Sequence, residues 1–270
     1  MIKTDIIKEV IKRIERKIYR NEKISIISVA EIAGYSKRHI QSLFKEVTGF
    51  KISSYIRKRK LSNAAILIRL TRISIFQISI DLGFASLQSF TRAFTREFHI
   101  SPLKYRRNVF FDCSCLTPPF TTDSQIYLLR KRWINALSLS VKEFTLKESL
   151  IGRRAKRAEE VRKKEIDHII SNKGEVFVIT TMIPESTLEH NVLLKTLTGF
   201  EDATSNYQSE KQECWVLEFY GEWDDYVNFG RFLMFNIDIE LNGTFIEQIA
   251  LKKSNNYQQE YFSKIYLPVK

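Results

Sequence analysis

At 270 residues, 44% of them hydrophobic and few of them Gly or Pro, the chain is long enough for two domains with their own cores and is not a disordered polymer. Its three cysteines, Cys113, Cys115 and Cys214, are too few for a closed disulfide framework and lack zinc-site spacing; no apolar run approaches the ~18 residues that span a bilayer, and the charges of the first ten residues come too early for a signal peptide. Residues 1–110 carry 23 of the 43 Lys and Arg but only 8 of the 31 Asp and Glu. The positive charge therefore belongs to one segment, as a nucleic-acid-binding domain requires, and its spread over several helices argues against a single membrane-surface helix.

Residues 2–20 place Ile6, Ile7, Val10, Ile14 and Ile18 on one helical face. Ser28 followed by Glu31 predicts a capping box that opens a short helix through Ala33. Gly34-Tyr35 makes a turn, Ser36 caps a second helix with Ile40, Leu43, Phe44 and Val47 inside, and Gly49 ends it. A short helix, a tight Gly turn and a longer helix form the helix-turn-helix unit. Lys37, Arg38, Gln41, Ser42 and Lys45 face outward. Lys51 to Leu70 reads as a rod in which Tyr55, Ile56, Leu61, Ala65 and Ile68 pack while Arg57, Lys58, Arg59 and Lys60 stay in water.

The unit then recurs. Ser74 to Leu82 is a short helix, Gly83-Phe84-Ala85 a turn, and Ser86 caps a helix with Phe90, Ala93, Phe94 and Phe98 inside and Leu87, Gln88, Ser89, Arg92 and Arg96 outside. Ser101-Pro102 opens a last short helix ending at Tyr105-Arg106-Arg107. The rod between the two units spans roughly 28 Å at ~1.5 Å per residue. Two recognition helices on such a rod suit successive major-groove segments, ~34 Å apart, on one face of a duplex.

Residues 113–123, CSCLTPPFTTD, read as a boundary. Beyond it, strands are expected at 126–129, 136–141, 176–182, 214–220, 244–251 and 261–269, with helices in the charged stretch 145–171 and at 224–235. That order predicts an α+β domain. No nucleophile elbow, Gly-rich phosphate loop or other catalytic constellation stands out, so neither enzymatic activity nor a cofactor is expected. Aromatic residues with Glu218 among them, namely Phe177, Trp215, Tyr220, Trp223 and Tyr266, are the candidate effector pocket.

Residues 5–108 resemble the DNA-binding domain of the AraC/XylS-type bacterial transcription regulators. The resemblance rests on Ser86-x-x-x-Phe90-x-Arg92-x-Phe94 followed by Ser101-Pro102-x-x-Tyr105-Arg106, and on Gly34-Tyr35-Ser36 with Leu43-Phe44-Lys45. Gly34-Tyr35-Ser36-Lys37-x-His39-x-Gln41 and Tyr55-Ile56-Arg57-x-Arg59-Lys60 make it most similar to the MarA, SoxS and Rob group. His99 stands where the family often has Gly, which should alter the turn. The resemblance implies base or backbone contacts at Arg38, Gln41, Ser42, Leu87, Gln88, Ser89 and Arg92, with Leu87 in place of a group Gln. Phosphate contacts are expected at Lys37, Lys45, Arg57, Arg59, Arg96 and Lys104.

In that group an α+β C-terminal domain of this size is similar to the GyrI-like small-molecule-binding fold, with two strand-helix-strand repeats around a pocket. A central Glu of that fold falls near Lys264 here, which leaves a cation, an anion, a protein or no ligand open.

The whole is thus expected to be multidomain. An all-α tandem helix-turn-helix domain (1–110) is joined by a linker (111–123) to an α+β GyrI-like effector-binding domain (124–270). The resemblance implies an activator that binds double-stranded DNA as a monomer and contacts RNA polymerase, in the cytoplasm at the nucleoid, with no membrane partner. The rivals are an architectural DNA-binding protein without sequence choice and a DNA-tethered GyrI-like enzyme.

Overall fold

The computed structural model describes residues 3–20, 22, 24–120, 128–150, 156–184, 190–235, 237–252 and 259–269. Helix α1 (Lys3–Tyr19) buries Ile7, Ile14 and Ile18, the stripe its sequence dictates. Helix α2 (Ile26–Ala33) is capped by Ser25, whose Oγ accepts from the backbone N–H of Ser28. Ser28 is therefore inside the helix and returns its own hydroxyl to the Ser25 carbonyl at 2.9 Å, so the expected box between Ser28 and Glu31 does not form. Gly34 ends α2 with φ +68°, a left-handed conformation that glycine enters without steric cost.

Helix α3 (Lys37–Thr48) has Ser36 as its N-cap and buries Ile40, Leu43 and Phe44. Helix α4 (Ile52–Leu70) is the central rod, and almost all of its second half is buried. Helix α5 (Ile75–Asp81) is capped by Ser74, and α6 (Leu87–Phe98) by Ser86. His99 ends α6 at φ +58°, a left-handed conformation that a non-glycine residue rarely adopts. Helix α7 (Pro102–Arg107) carries Pro at its start. Two arginines bind it to α4 reciprocally. Arg69 Nη1 donates to the Arg106 carbonyl at 2.9 Å, and Arg106 donates to the carbonyls of Ile68 and Ile73 at 3.1 and 2.6 Å.

The chain beyond α7 is not a free tether. Strand β1 (Phe111–Asp112) pairs with the later β8 (Glu240–Leu241), and Phe111, Cys113 and Leu116 are buried. Residues 121–123 of the expected linker, and 126–127 of the first expected strand, lie outside the described residues. Strand β2 comes slightly later, at Arg130–Ile134.

Strand β3 (Ser138–Ser149) runs well past the expected 136–141, and α8 (Lys156–Lys173) starts only after it. Residues 145–149 are thus strand, where a helix was expected. Val141, Glu143, Thr145 and Lys147 alternate with Lys142, Phe144, Leu146 and Glu148 on an edge-side strand, so charge falls on both faces and blurs the period-2 signal. Strands β4 (Glu175–Pro184), β5 (Asn191–Glu201), β6 (Tyr207–Gln208) and β7 (Gln212–Gly221) follow, then α9 (Trp223–Phe232), a 3-10 turn at Leu233–Phe235, β8, β9 (Thr244–Lys252) and β10 (Glu260–Pro268). Strand β5 was not foreseen. Its Gly199 lies so close to β3 that a Cβ there would sit 1.9 Å from the Ser140 carbonyl oxygen.

The eight-stranded sheet is antiparallel throughout, in the order β2-β7-β10-β9-β4-β5-β3-β6. Two β-α-β-β units, β3-α8-β4-β5 and β7-α9-β9-β10, meet at the β4/β9 pair with mirrored strand order. One face of this strand-rich domain carries Val176, Val178, Leu217, Phe219, Ile249 and Ile265 against the helices. These residues share one continuous core with Leu61 and Leu67 of α4 and with Phe90, Phe94 and Phe98 of α6. The other face has a small separate cluster including Phe177, Ile179, Cys214 and Ile246.

Candidate nucleic-acid interface

Helices α3 and α6 are built alike. Each begins at a Ser whose Oγ accepts from the N–H three residues on, His39 for Ser36 and Ser89 for Ser86. Each buries its aromatic back, Phe44 in α3 and Phe90 with Phe94 in α6. Each presents a polar front. Lys37, Arg38, Gln41, Ser42 and Lys45 are exposed on α3, and Leu87, Gln88, Ser89, Arg92 and Arg96 on α6. None of the basic side chains among these has an ion pair among the described residues, so they remain free to meet phosphates and bases. Arg57 on α4 and Lys104 on α7 are also exposed.

Two of the expected contacts are engaged inside the protein. Ser89 completes a capping box: its Oγ accepts from the Ser86 N–H at 3.2 Å and donates to the Ser86 carbonyl at 2.8 Å. Its hydroxyl thus serves the helix start first.

Arg59 is a clear correction. Its side chain is 4% exposed and pairs with Glu15 of α1 through Nε at 2.9 Å and Nη2 at 3.0 Å. Nη1 donates to the Thr117 carbonyl at 2.7 Å, and the guanidinium lies 4.7 Å from the Phe235 ring centre. A charge so fully matched cannot reach a phosphate. Tyr55 joins the group, donating to Glu15 Oε1 at 2.6 Å while accepting from the Phe120 N–H; burial, then the adjacent carboxylate, push its hydroxyl far above the ordinary value and keep it a donor.

Lys58 and Lys60 were also expected in water. Lys58 pairs with Glu97 of α6, and Lys60 donates to the Leu82 carbonyl at 2.8 Å, at the electronegative end of α5. Burial lowers the Lys60 pKa. These pairings hold α4 against the second unit. Sequence reasoning passed over the exposed stack of Tyr35 on His39, ring centres 4.7 Å apart, at the entrance to α3. Aromatics spaced four apart across a helix start were the available signal.

The candidate effector residues divide between the two faces of the sheet. Phe177, Glu218, Tyr220 and Tyr266 line a cleft of about 970 Å³ on the open face, with Lys264, Gln248, Arg130 and Arg132. Tyr266 donates to Gln248 Oε1 at 2.7 Å, and Gln248 Nε2 donates to Glu175 at 2.8 Å. Lys264 and Glu218 are cross-strand neighbours. Trp215 and Trp223 do not belong there. Trp215 alternates with Glu218's face and packs on the helix side, and Trp223 lies on α9 against Tyr226 and Tyr261.

Among the described residues there is no metal-type cluster of His, Cys, Asp and Glu, and no helix long and apolar enough to cross a membrane. Residues 29–108 match a family model described as a helix-turn-helix domain. The transcriptional regulator Rob of Salmonella typhimurium is 43% identical over 99 residues, which are 37% of this chain and 34% of that protein. The transposon Tn10 TetD protein of Escherichia coli is 41% identical over 42% of this chain and 80% of its own length. The probable transcription factor PqrA of Proteus vulgaris is 38% identical over 38% of this chain and 85% of its own. The match thus spans about a third of the Rob protein but most of TetD and PqrA. With its tandem helix-turn-helix units and these relatives, the chain belongs to the AraC/XylS family, in the Rob and MarA group.

Proposed function

We propose that this chain is a sequence-specific DNA-binding transcription regulator, an activator that reads two successive major-groove segments as a monomer. The observation that carries the reading is the duplication: two Ser-capped helices with buried aromatic backs and unpaired Arg, Lys and Gln fronts, in the strongly basic part of the chain. Arg38 and Arg92 suit the acceptor pair of guanine, and Gln41 and Gln88 suit adenine, each good bidentate pair adding ~1–3 kcal/mol of discrimination. Lys37, Lys45, Arg57, Arg96 and Lys104 flank these helices as phosphate contacts that position without specifying. RNA polymerase is the partner that activation requires. The names of the relatives support regulation rather than catalysis.

The C-terminal domain is read as a GyrI-like effector module. Two β-α-β-β units mirrored about the β4/β9 pair support that reading, and the open-face cleft around Phe177, Glu218, Tyr220 and Tyr266 is its candidate effector site. Lys264 in that cleft stands opposite Glu218, so an effector there meets both signs of charge.

Footprinting with excess competitor DNA tests the proposal. A protected stretch of ~20 bp at a defined sequence is expected, with Gln41→Ala and Arg92→Ala each weakening it about 5- to 100-fold. Uniform coating of all sequences would instead favour the architectural reading, and unchanged affinity and base preference in both variants would remove α3 and α6 as the readers.

A further inference from the structure

A second cavity, of about 530 Å³, lies between the helical half and the helix-side face of the sheet. Its walls come from both halves: Ile66 of α4 on one side, Met182 and Leu194 of the sheet on the other, and Val227 of α9 with Phe235 closing it. The volume is that of a pocket for one small molecule. Exposed Lys12 and Arg16 of α1 and exposed Asn228 of α9 form its mouth.

The polar groups in the wall define what such a molecule must be. Glu247 is 4% exposed and fully used: Oε1 accepts from the Tyr226 hydroxyl at 2.6 Å and Oε2 from Arg162 Nη2 at 2.9 Å. That pair cancels its own charge. Among the described lining residues, four basic side chains face four acidic ones, so these walls favour neither ion. Of the four buried side-chain polar atoms without a hydrogen-bond partner among the described residues, two, the Thr180 hydroxyl and Arg162 Nε, belong to residues that line this cavity. Thr180 is itself 2% exposed. Buried polar groups in folded proteins are ordinarily satisfied, and an accepting atom is the partner that either of these donors lacks.

We propose that this interdomain cavity binds an uncharged, largely apolar small molecule carrying a hydrogen-bond acceptor such as a carbonyl, and that its occupancy alters DNA affinity. The second clause rests on the DNA-reading proposal; the first does not. The coupling route is direct, because the occupant touches α4, the rod that joins the two helix-turn-helix units, and α1, which packs on α3. It is distinct from the open-face cleft, which lies across the sheet.

The test uses prodan, an uncharged naphthalene fluorophore with one ketone. Added to the full chain without DNA, it should bind at one per chain with a blue-shifted emission. Leu194→Trp, which fills the cavity from a half-buried position, should weaken binding at least tenfold, and Val227→Phe should do the same from α9. Thr180→Val, which keeps the shape and removes the hydroxyl, should weaken it about threefold. Tyr220→Ala, at an exposed position of the open-face cleft, should leave it unchanged. A cooperative thermal transition and an unaltered DNA footprint show that each variant is folded. Absence of saturable binding, binding indifferent to both filling variants, or binding lost in Tyr220→Ala would overturn the site. A DNA affinity equal with and without saturating prodan would overturn the coupling, and failure of DNA binding in dye-free protein would count only against the DNA-reading proposal.

Discussion

The two helix-turn-helix units follow one plan, yet they rest on different cores. The first, α2 and α3, packs with α1 and the start of α4 in a cluster of its own, centred on Ile7, Ile14, Phe44 and Tyr55. The second, α5 and α6, shares a core with the sheet, from Phe90 and Phe94 through Ile166 and Val178 to Leu217 and Ile265. The physical division of the molecule therefore falls inside α4, between Tyr55 and Leu61, rather than in the stretch after α7. A boundary drawn from composition marks where the chain changes character; a boundary drawn from buried contacts marks what moves together. Here the second recognition helix belongs mechanically with the C-terminal domain. The first is tied to that domain through the Arg59 hub and Phe120.

The largest effect that separates the two cores comes from deleting an aromatic anchor in each. Phe94→Ala and Phe44→Ala both empty fully buried sites, at a cost of about 3–5 kcal/mol. All three tryptophans, Trp133, Trp215 and Trp223, lie in the C-terminal, strand-rich domain. A Trp-detected urea transition should therefore shift to lower urea for Phe94→Ala while Phe44→Ala leaves it nearly in place and lowers helical signal first. Equal shifts in both would merge the two cores into one cooperative unit.

Cutting the link between them comes next. Glu15→Ala leaves the Arg59 guanidinium buried without its carboxylate, and breaking a buried pair from one side costs several kcal/mol, ~3 here because Glu15 keeps some contact with water. Hydrogen exchange should show the loss in α1 and in the start of α4, with the sheet protected as before. A loss spread evenly over α6 and the sheet would place the hub in the second core instead.

These contrasts explain which parts were legible in the sequence. Caps and stripes are local, so Ser36, Gly49, Ser86 and the Phe90–Phe94–Phe98 back could be read directly and led to the helix-turn-helix pair. The Ser25 cap was missed because Ser28, three residues on, offers the same chemistry with a Glu in the favoured place; backbone geometry decides between them. Arg59 was misread because its partner Glu15 lies 44 residues away, and within α4 it sits among basic residues that look alike. In the C-terminal domain the strand parity was available and unused: 215 and 218 fall on opposite faces of one strand, which already separates Trp215 from the cleft. That β5 lies between β3 and β4 follows from long-range pairing, which no local pattern carries.

A smaller effect compares the two recognition helices themselves. Ser36→Ala and Ser86→Ala each remove one capping bond, and only α6 has a return bond, from the Ser86 backbone N–H to Ser89 Oγ, which Ser86→Ala leaves in place. Ser36→Ala should cost ~1 kcal/mol, and the double variant Ser86→Ala/Ser89→Ala, which removes both halves of the box, should cost more. Melting temperatures decide it: a Ser36 variant as damaged as the double variant would mean that the box adds nothing at α6.

The smallest effect at neutral pH is the most selective at high pH. Tyr261, in the core shared by the sheet and the second unit, donates to Asp167 at 2.6 Å. Burial, then the Asp167 hydrogen bond, raise its pKa from 10.0 to about 12. An acid whose folded pKa exceeds its unfolded value contributes stability that is complete below pH 10 and is lost as pH climbs through 12, because the folded state then holds the proton that the unfolded state has released. Tyr261→Phe removes that titration, so the Trp-detected stability of the variant should fall less steeply than the parent's between those limits, at a cost near neutral pH of about 1 kcal/mol for the lost hydrogen bond. Tyr55, raised in the same direction by burial and Glu15, belongs to the first core, and Tyr55→Phe should leave the slope of the Trp-detected transition alone. If Tyr55→Phe flattens that slope as much as Tyr261→Phe does, the first unit unfolds with the sheet, and the division inside α4 has no thermodynamic meaning.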